Sequence, residues 1–264
     1  MLGVEPFFAE LIAGIEEGLA GEERSLLLHV VPDQHTELAA YKRWAGGSMV
    51  DAVIVVNLVV DDPRPQVLLE LGIPAVALGG KPSGMPLSNV WIDDGRAMRD
   101  AVGYLAGLGH TRLGRVSGPH ELDHTRARTV AFDSECGRLD LAHATVEGDY
   151  TEESGRAATL SLLSREEPPS AVVYDNDIMA IAGLSVAAES GLSVPARLSL
   201  LAWDDSTLCR LSNPALSAMT LDVYAMGSQV AHAVLNMLAG GPITAYMAPL
   251  PRLSARASTA PPER

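Results

Sequence analysis

The sequence predicts an α/β fold built on parallel sheets, and three observations predict it. Short β-rich runs recur between amphipathic stretches along the 264 residues, the alternation that defines the class. Several of them carry continuous apolar stretches without polar alternation, such as VIVV, AVAL and AVVY, as strands buried by helices on both faces do. Two of them, AVVYDN at 171–176 and LSLLAW ending at Trp203 before Asp204-Asp205, deliver acidic or amide side chains at their carboxyl ends. Open parallel sheets bind ligands at that edge.

The elements follow in order. Phe8, Leu11, Ile12, Ile15 and Leu19 recur at helical spacing and predict a helix over 7–20 with a broad apolar stripe. Strands are predicted at 26–31 (LLLHVV), 50–56 (VDAVIVV), 73–78 (IPAVAL) and 89–92 (NVWI), with a surface loop, KPSGMP, at 81–86. Met98, Ala101, Val102, Leu105 and Leu108 form the next helical stripe, stopped by Gly109. RLGRVSG at 112–118 and ATVEGD at 144–149 are further strands, and Thr151 followed by two glutamates starts a helix with acid at its positive end. From Val172 the chain reads strand, a helix opened by Asp177 and closed by Gly191, strand, and a polar turn. STAPPER at 258–264 is expected to be a frayed tail. The five residues MLGVE ahead of Pro6 are too few for the strand that the alternation requires there, so the recorded sequence is expected to lack its beginning.

Composition narrows the function. A net charge of −14 disfavours nucleic acid or an anionic membrane as a direct partner of these residues. Cys136 and Cys209 are far apart, without metal or redox spacing, and fit ordinary thiols in a reducing cytoplasm. No secretion signal and no apolar run approaching the roughly 20 residues of a membrane span is visible. His120-Glu121-Leu122-Asp123-His124 matches H-E-x-x-H, which on a helix binds zinc, but it directly follows the turn Ser117-Gly118-Pro119. We therefore expect a chance match in a pocket-lining loop, with no metal and no cofactor, from which His124 can still touch a ligand. The nucleophile turn, P-loop and dinucleotide glycine motif are missing, so enzyme readings lack their parts.

Three polar residues stand where binding is expected. Arg128, near a helix start after a strand, can fork onto vicinal hydroxyls or a carboxylate; its alternative is a solvated helix arginine. Asp204 ends an apolar strand and can accept from ligand hydroxyls, or else caps the next turn. Asn176 offers both donor and acceptor at an equivalent strand end, and we assign it to ligand while assigning the adjacent Asp177 to the helix cap.

The run VVYDNDIMAIAGLSVAAESGLSVPARLSLLAWDDSTLCRLSNPALSAMTLD resembles the effector-binding core of the LacI/GalR family of bacterial transcriptional regulators. The resemblance extends from Pro6 to Pro262 through PFFAELIAGIE, YLAGLGHTRLGRVSG, RTVAF, EGDYTEESG and PRLSARAST, in shared order and spacing. It departs from the family at Ala131, Ala202 and Pro195-Ala196-Arg197. The resemblance implies two Rossmann-like lobes of periplasmic binding protein type I architecture with a ligand cleft between them. The lobes it implies are 1–93 with 222–247, and 94–221 with 248–264. It also implies that Tyr150 stacks on the ligand and that one ring of Phe7 and Phe8 faces the cleft. A small-molecule effector, most simply a sugar, would shift the lobes between open and closed arrangements in a homodimer, and operator DNA would be held by a headpiece lying before these residues. A solute receptor of a sugar transport system has the same fold and is the alternative.

Overall fold

The computed structural model describes residues 6–80 and 84–263. MLGVE and residues 81–83 of the expected loop lie outside the described residues. In chain order the elements are α1 (Pro6–Leu19), α2 (Gln34–Gly47), β1 (Val53–Val55), α3 (Arg64–Glu70), β2 (Ala75–Leu78), β3 (Ser88–Trp91), α4 (Asp94–Gly107) and β4 (Arg112–Ser117). There follow α5 (Asp123–Arg138), β5 (Ala142–Glu147), α6 (Glu152–Leu163), β6 (Ala171–Tyr174), α7 (Asp177–Glu189) and β7 (Ser199–Trp203). The chain closes with α8 (Thr207–Leu211), β8 (Ser217–Thr220), α9 (Val223–Leu238), β9 (Ala245–Met247) and β10 (Arg252–Ser254). Backbone proximity divides them into two compact units, Met1–Ile92 with Asp222–Pro249 and Asp93–Leu221 with Leu250–Arg264.

The first unit carries a parallel sheet in the order β1-β2-β3-β9. Its β2 is buried at every position, which accounts for the unbroken apolar run AVAL. Helix α1 turns Leu11, Ile15 and Leu19 inward and packs against α9. The two backbones approach so closely that a Cβ at Gly14 would lie 2.1 Å from the Tyr224 carbonyl oxygen, and one at Gly227 2.3 Å from that of Leu11. Only glycine fits there. The apolar stripe expected on this helix is therefore spent within the unit.

One expected strand is not formed. Residues 26–31 pair with no strand among the described residues, and Leu27, Leu28 and Val30 are exposed. An apolar run becomes a strand only where a neighbouring ladder takes its N–H and C=O groups, and no local pattern reports that neighbour.

The second unit carries six strands in the order β10-β8-β7-β6-β4-β5, parallel except for β10. Strands β6 and β7 are buried at every position, while β5 lies at the edge. Phe132, Leu105, Leu113 and Trp203 pack on one side of the sheet, and Leu162, Tyr174, Met179 and Leu200 on the other. Strands β8, β9 and β10 were not foreseen: they are as short as β1 and β2, but Ser217–Thr220 and Arg252–Ser254 mix polar with apolar residues, and Ala245–Met247 has only three residues at a sheet edge. The carboxyl-terminal segment is docked, contrary to the frayed tail expected. Ser258 is fully buried and donates to Leu200 O at 2.6 Å, and His110 bridges Ser170 Oγ and Ala260 O. Its polar composition reflects these hydrogen bonds and not solvation.

Candidate functional site

At the carboxyl edge of the second unit's sheet, β4, β5, β6 and β7 end together and each hands over a polar turn. Register places Val116 beside Val146 and Tyr174, so Gly118, Tyr150 and Asp175-Asn176 leave the sheet as neighbours. Tyr150 (φ 69°) and Asp204 (φ 65°) both lie in the left-handed region. Non-glycine residues are uncommon there, and such strain concentrates at functional positions. The Tyr150 ring covers Gly118, where a Cβ would come within 2.1 Å of the phenol oxygen. That phenol meets His124 Nε2 at 2.8 Å and Thr125 Oγ1 at 3.2 Å.

Arg128 is buried, not a solvated helix arginine. Its Nε donates to Asp94 Oδ1 at 2.7 Å, Nη1 donates to the Asp175 carbonyl at 3.3 Å, and its plane lies 4.2 Å from the Trp203 ring centre. Neither bond uses Nη2. Behind it, Arg115 and Asp175 form a wholly buried ion pair. Arg115 Nε and Nη2 donate to the two Asp175 carboxylate oxygens at 2.9 and 2.6 Å, and Nη1 donates to Thr129 Oγ1 at 2.8 Å. The Gly118 N–H completes the acceptor set of Asp175. This pair ties the ends of β4 and β6 to α5, the helix that carries Thr125 and Arg128.

Electrostatics follow from burial. It raises the Asp94 carboxyl despite the adjacent Arg128, and it pushes the Tyr150 phenol up to about 12. Burial alone would raise Asp175 too, but Arg115 and Arg128 beside it bring the net shift below the usual carboxylate value. The His124 imidazole is pushed down to about 3, first by burial and then by Arg128, and is neutral at physiological pH.

The second unit thus places Arg128, Tyr150, Asn176 and Asp204 at one sheet edge. Phe7 and Phe8 lie on α1 of the first unit, their rings edge to face at 5.3 Å. One assignment is corrected. Asn176, not Asp177, caps α7: it has extended backbone angles, its Oδ1 accepts from Met179 N at 2.9 Å, and its Nδ2 donates to Tyr150 O. Asp177 is already helical, and its Oδ2 is buried with no hydrogen-bond partner. The cap belongs to the last non-helical residue. The turn after Asp204 is capped by Ser206, while Asp205 is clasped by Arg256. His120 and Glu121 precede α5, so the H-E-x-x-H residues do not share a helix. Exposed His120 bonds Glu147, and His124 turns instead to Tyr150. His120, Glu121 and Glu147 do approach one another at the surface.

Asp94, Arg115, Asp175 and Trp203 were missed as site residues. For Arg115 and Asp175 a signal existed: a charge inside or at the end of an apolar strand must find a buried partner. Nothing local said which.

A two-unit α/β protein with its polar cluster at a sheet's carboxyl edge is built like the periplasmic binding proteins, and the family profile described as "Periplasmic binding protein-like domain" matches residues 102–259. The chain is 31% identical over 253 residues to the HTH-type transcriptional regulator CelR of Thermobifida fusca, covering 90% of this chain and 72% of CelR. A LacI family transcriptional regulator from Bifidobacterium animalis subsp. lactis superposes with a TM-score of 0.92 at 33% identity, covering 98% of this chain and 96% of that one. The transcriptional regulator CelR in complex with cellobiose gives a TM-score of 0.88 at 28% identity over 96% and 79% of the two chains. The chain belongs to the LacI family of transcriptional regulators and comprises the effector-binding region of that family. No described helix is long and apolar enough to cross a membrane.

Proposed function

We propose that this chain senses a sugar in the cytoplasm and passes its presence to operator DNA. The observation that carries the ligand reading is Arg128, braced by Asp94 and Trp203 beside Tyr150, Asn176 and Asp204. Planar polar groups next to an aromatic ring can fix hydroxyls and cover the apolar face of a sugar. The family resemblance adds a ring of Phe7 or Phe8 to the proposed ligand contacts. The similarity to CelR, solved with cellobiose, supports a carbohydrate. DNA contact is assigned to a helix-turn-helix headpiece outside the 264 residues, because a net charge of −14 gives them no attraction for phosphates. Ligand would act by shifting the population between arrangements of unequal operator affinity, with a coupling of about 1–3 kcal/mol.

Calorimetry with cellobiose and related disaccharides tests this. Binding is expected, and Arg128→Ala or Asp204→Ala is expected to weaken it by roughly 1.5–3 kcal/mol, with the fold retained by circular dichroism. Affinity unchanged in both variants would remove the site. We also assign the protein to a symmetric homodimer, so light scattering of a form carrying the headpiece should give twice the monomer mass; a monomer at micromolar concentration rejects that assignment.

A further inference from the structure

The cations at this sheet edge have carboxylate partners before any ligand arrives. Arg115 spends Nε and Nη2 on Asp175 and is wholly buried. Arg128 gives Nε to Asp94 and stacks on Trp203. Two guanidinium groups meet two carboxylates, and the field of Asp204 also reaches Arg128 and Tyr150. Burial raises both Asp94 and Tyr150, so additional negative charge is already unfavourable here. His124, neutral because it is buried, adds no compensating charge.

We propose that this face accepts uncharged polyhydroxyl ligands and rejects their acidic and phosphorylated counterparts, with Asp94 as the residue that sets the preference. The inference rests on the carbohydrate reading above and narrows it. A hydroxyl can accept from Arg128 Nη2 and donate to a carboxylate without breaking an ion pair. A ligand carboxylate or phosphate would instead compete with Asp94 for Arg128, leaving one anion in a buried setting without its counter-charge. Specificity then comes from repulsion as much as from attraction.

The test uses matched probes: cellobiose and maltose, each beside the form oxidised to the uronate or phosphorylated at C6, titrated at constant ionic strength. The neutral sugars are expected to bind, and the charged forms to bind roughly 100-fold more weakly. Asp94→Asn frees the Arg128 charge and should narrow that gap by about tenfold or more, and Asp94→Glu should restore it. A uronate or phosphate binding the native chain within about threefold of its parent sugar overturns the inference while leaving the carbohydrate reading intact. Binding of no probe, neutral or charged, overturns both. Should Asp94→Asn fail to fold, the comparison on the native chain decides alone.

Discussion

Asp175 serves two neighbours with different atoms: its carboxylate holds Arg115, and its backbone carbonyl accepts from Arg128. A buried ion pair of this kind is weak evidence for stability, since desolvation offsets the attraction, whereas losing one partner strands a charge. Asp175→Asn is therefore expected to cost about 3–5 kcal/mol in urea unfolding, while the double change Arg115→Met, Asp175→Leu should stay within ~1.5 kcal/mol of the native chain. Equal losses in the single and double variants would show that the pair itself stabilises the fold. The same two residues illustrate how far the sequence could be read. Arg115 and Asp175 each advertise a need for a partner, but they lie 60 positions apart, and only the pairing of β4 with β6 introduces them.

Among the elements, the contact of α1 with α9 is the most demanding sterically. Gly14 and Gly227 face the partner helix with no room for a methyl group, whereas Gly103 on α4 has nothing within 4 Å of where its Cβ would sit. Gly14→Val should cost about 3 kcal/mol by overpacking, and Gly103→Ala should be neutral or stabilising by up to ~1 kcal/mol because glycine is a poor helix former. Chemical denaturation of the two variants checks both signs. Helices were legible because a stripe such as Met98, Ala101, Val102 and Leu105 repeats over several turns. The stripe did not say what it packs against, and for α1 the answer was α9 within the same unit.

At the scale of the whole molecule, stability should fall on mild acidification. Burial lowers His110 and His124 in the folded chain, His124 to about 3, so near pH 6 these two side chains bind more protons in the unfolded chain than in the folded one, outweighing the opposite contributions of Asp94, raised by burial, and His120, raised by Glu147. Their contribution is intact above an unfolded value of about 6.5 and declines as pH drops toward the folded values. Carboxylates lowered in the fold, including Asp62, Asp175 and Asp205, follow in the same direction only below about pH 4. Urea midpoints at pH 7.5 and 5.0 should therefore differ, and His110→Gln combined with His124→Gln should shrink the difference. An unchanged difference would place its origin in other groups.

The sequence by itself determined the α/β class, the strand ends that carry polar turns, and Arg128, Asn176 and Asp204 as candidates, because apolar runs, helical periods and caps are local and survive in one dimension. Tertiary structure decided the rest. It left residues 26–31 without a ladder among the described residues, docked the tail through Ser258, and made Asn176 the cap. It also brought Asp94 to Arg128 across 34 positions. Each of these depends on which group lies opposite in space, and hydrogen bonds and ion pairs between distant residues exist only after the chain has folded.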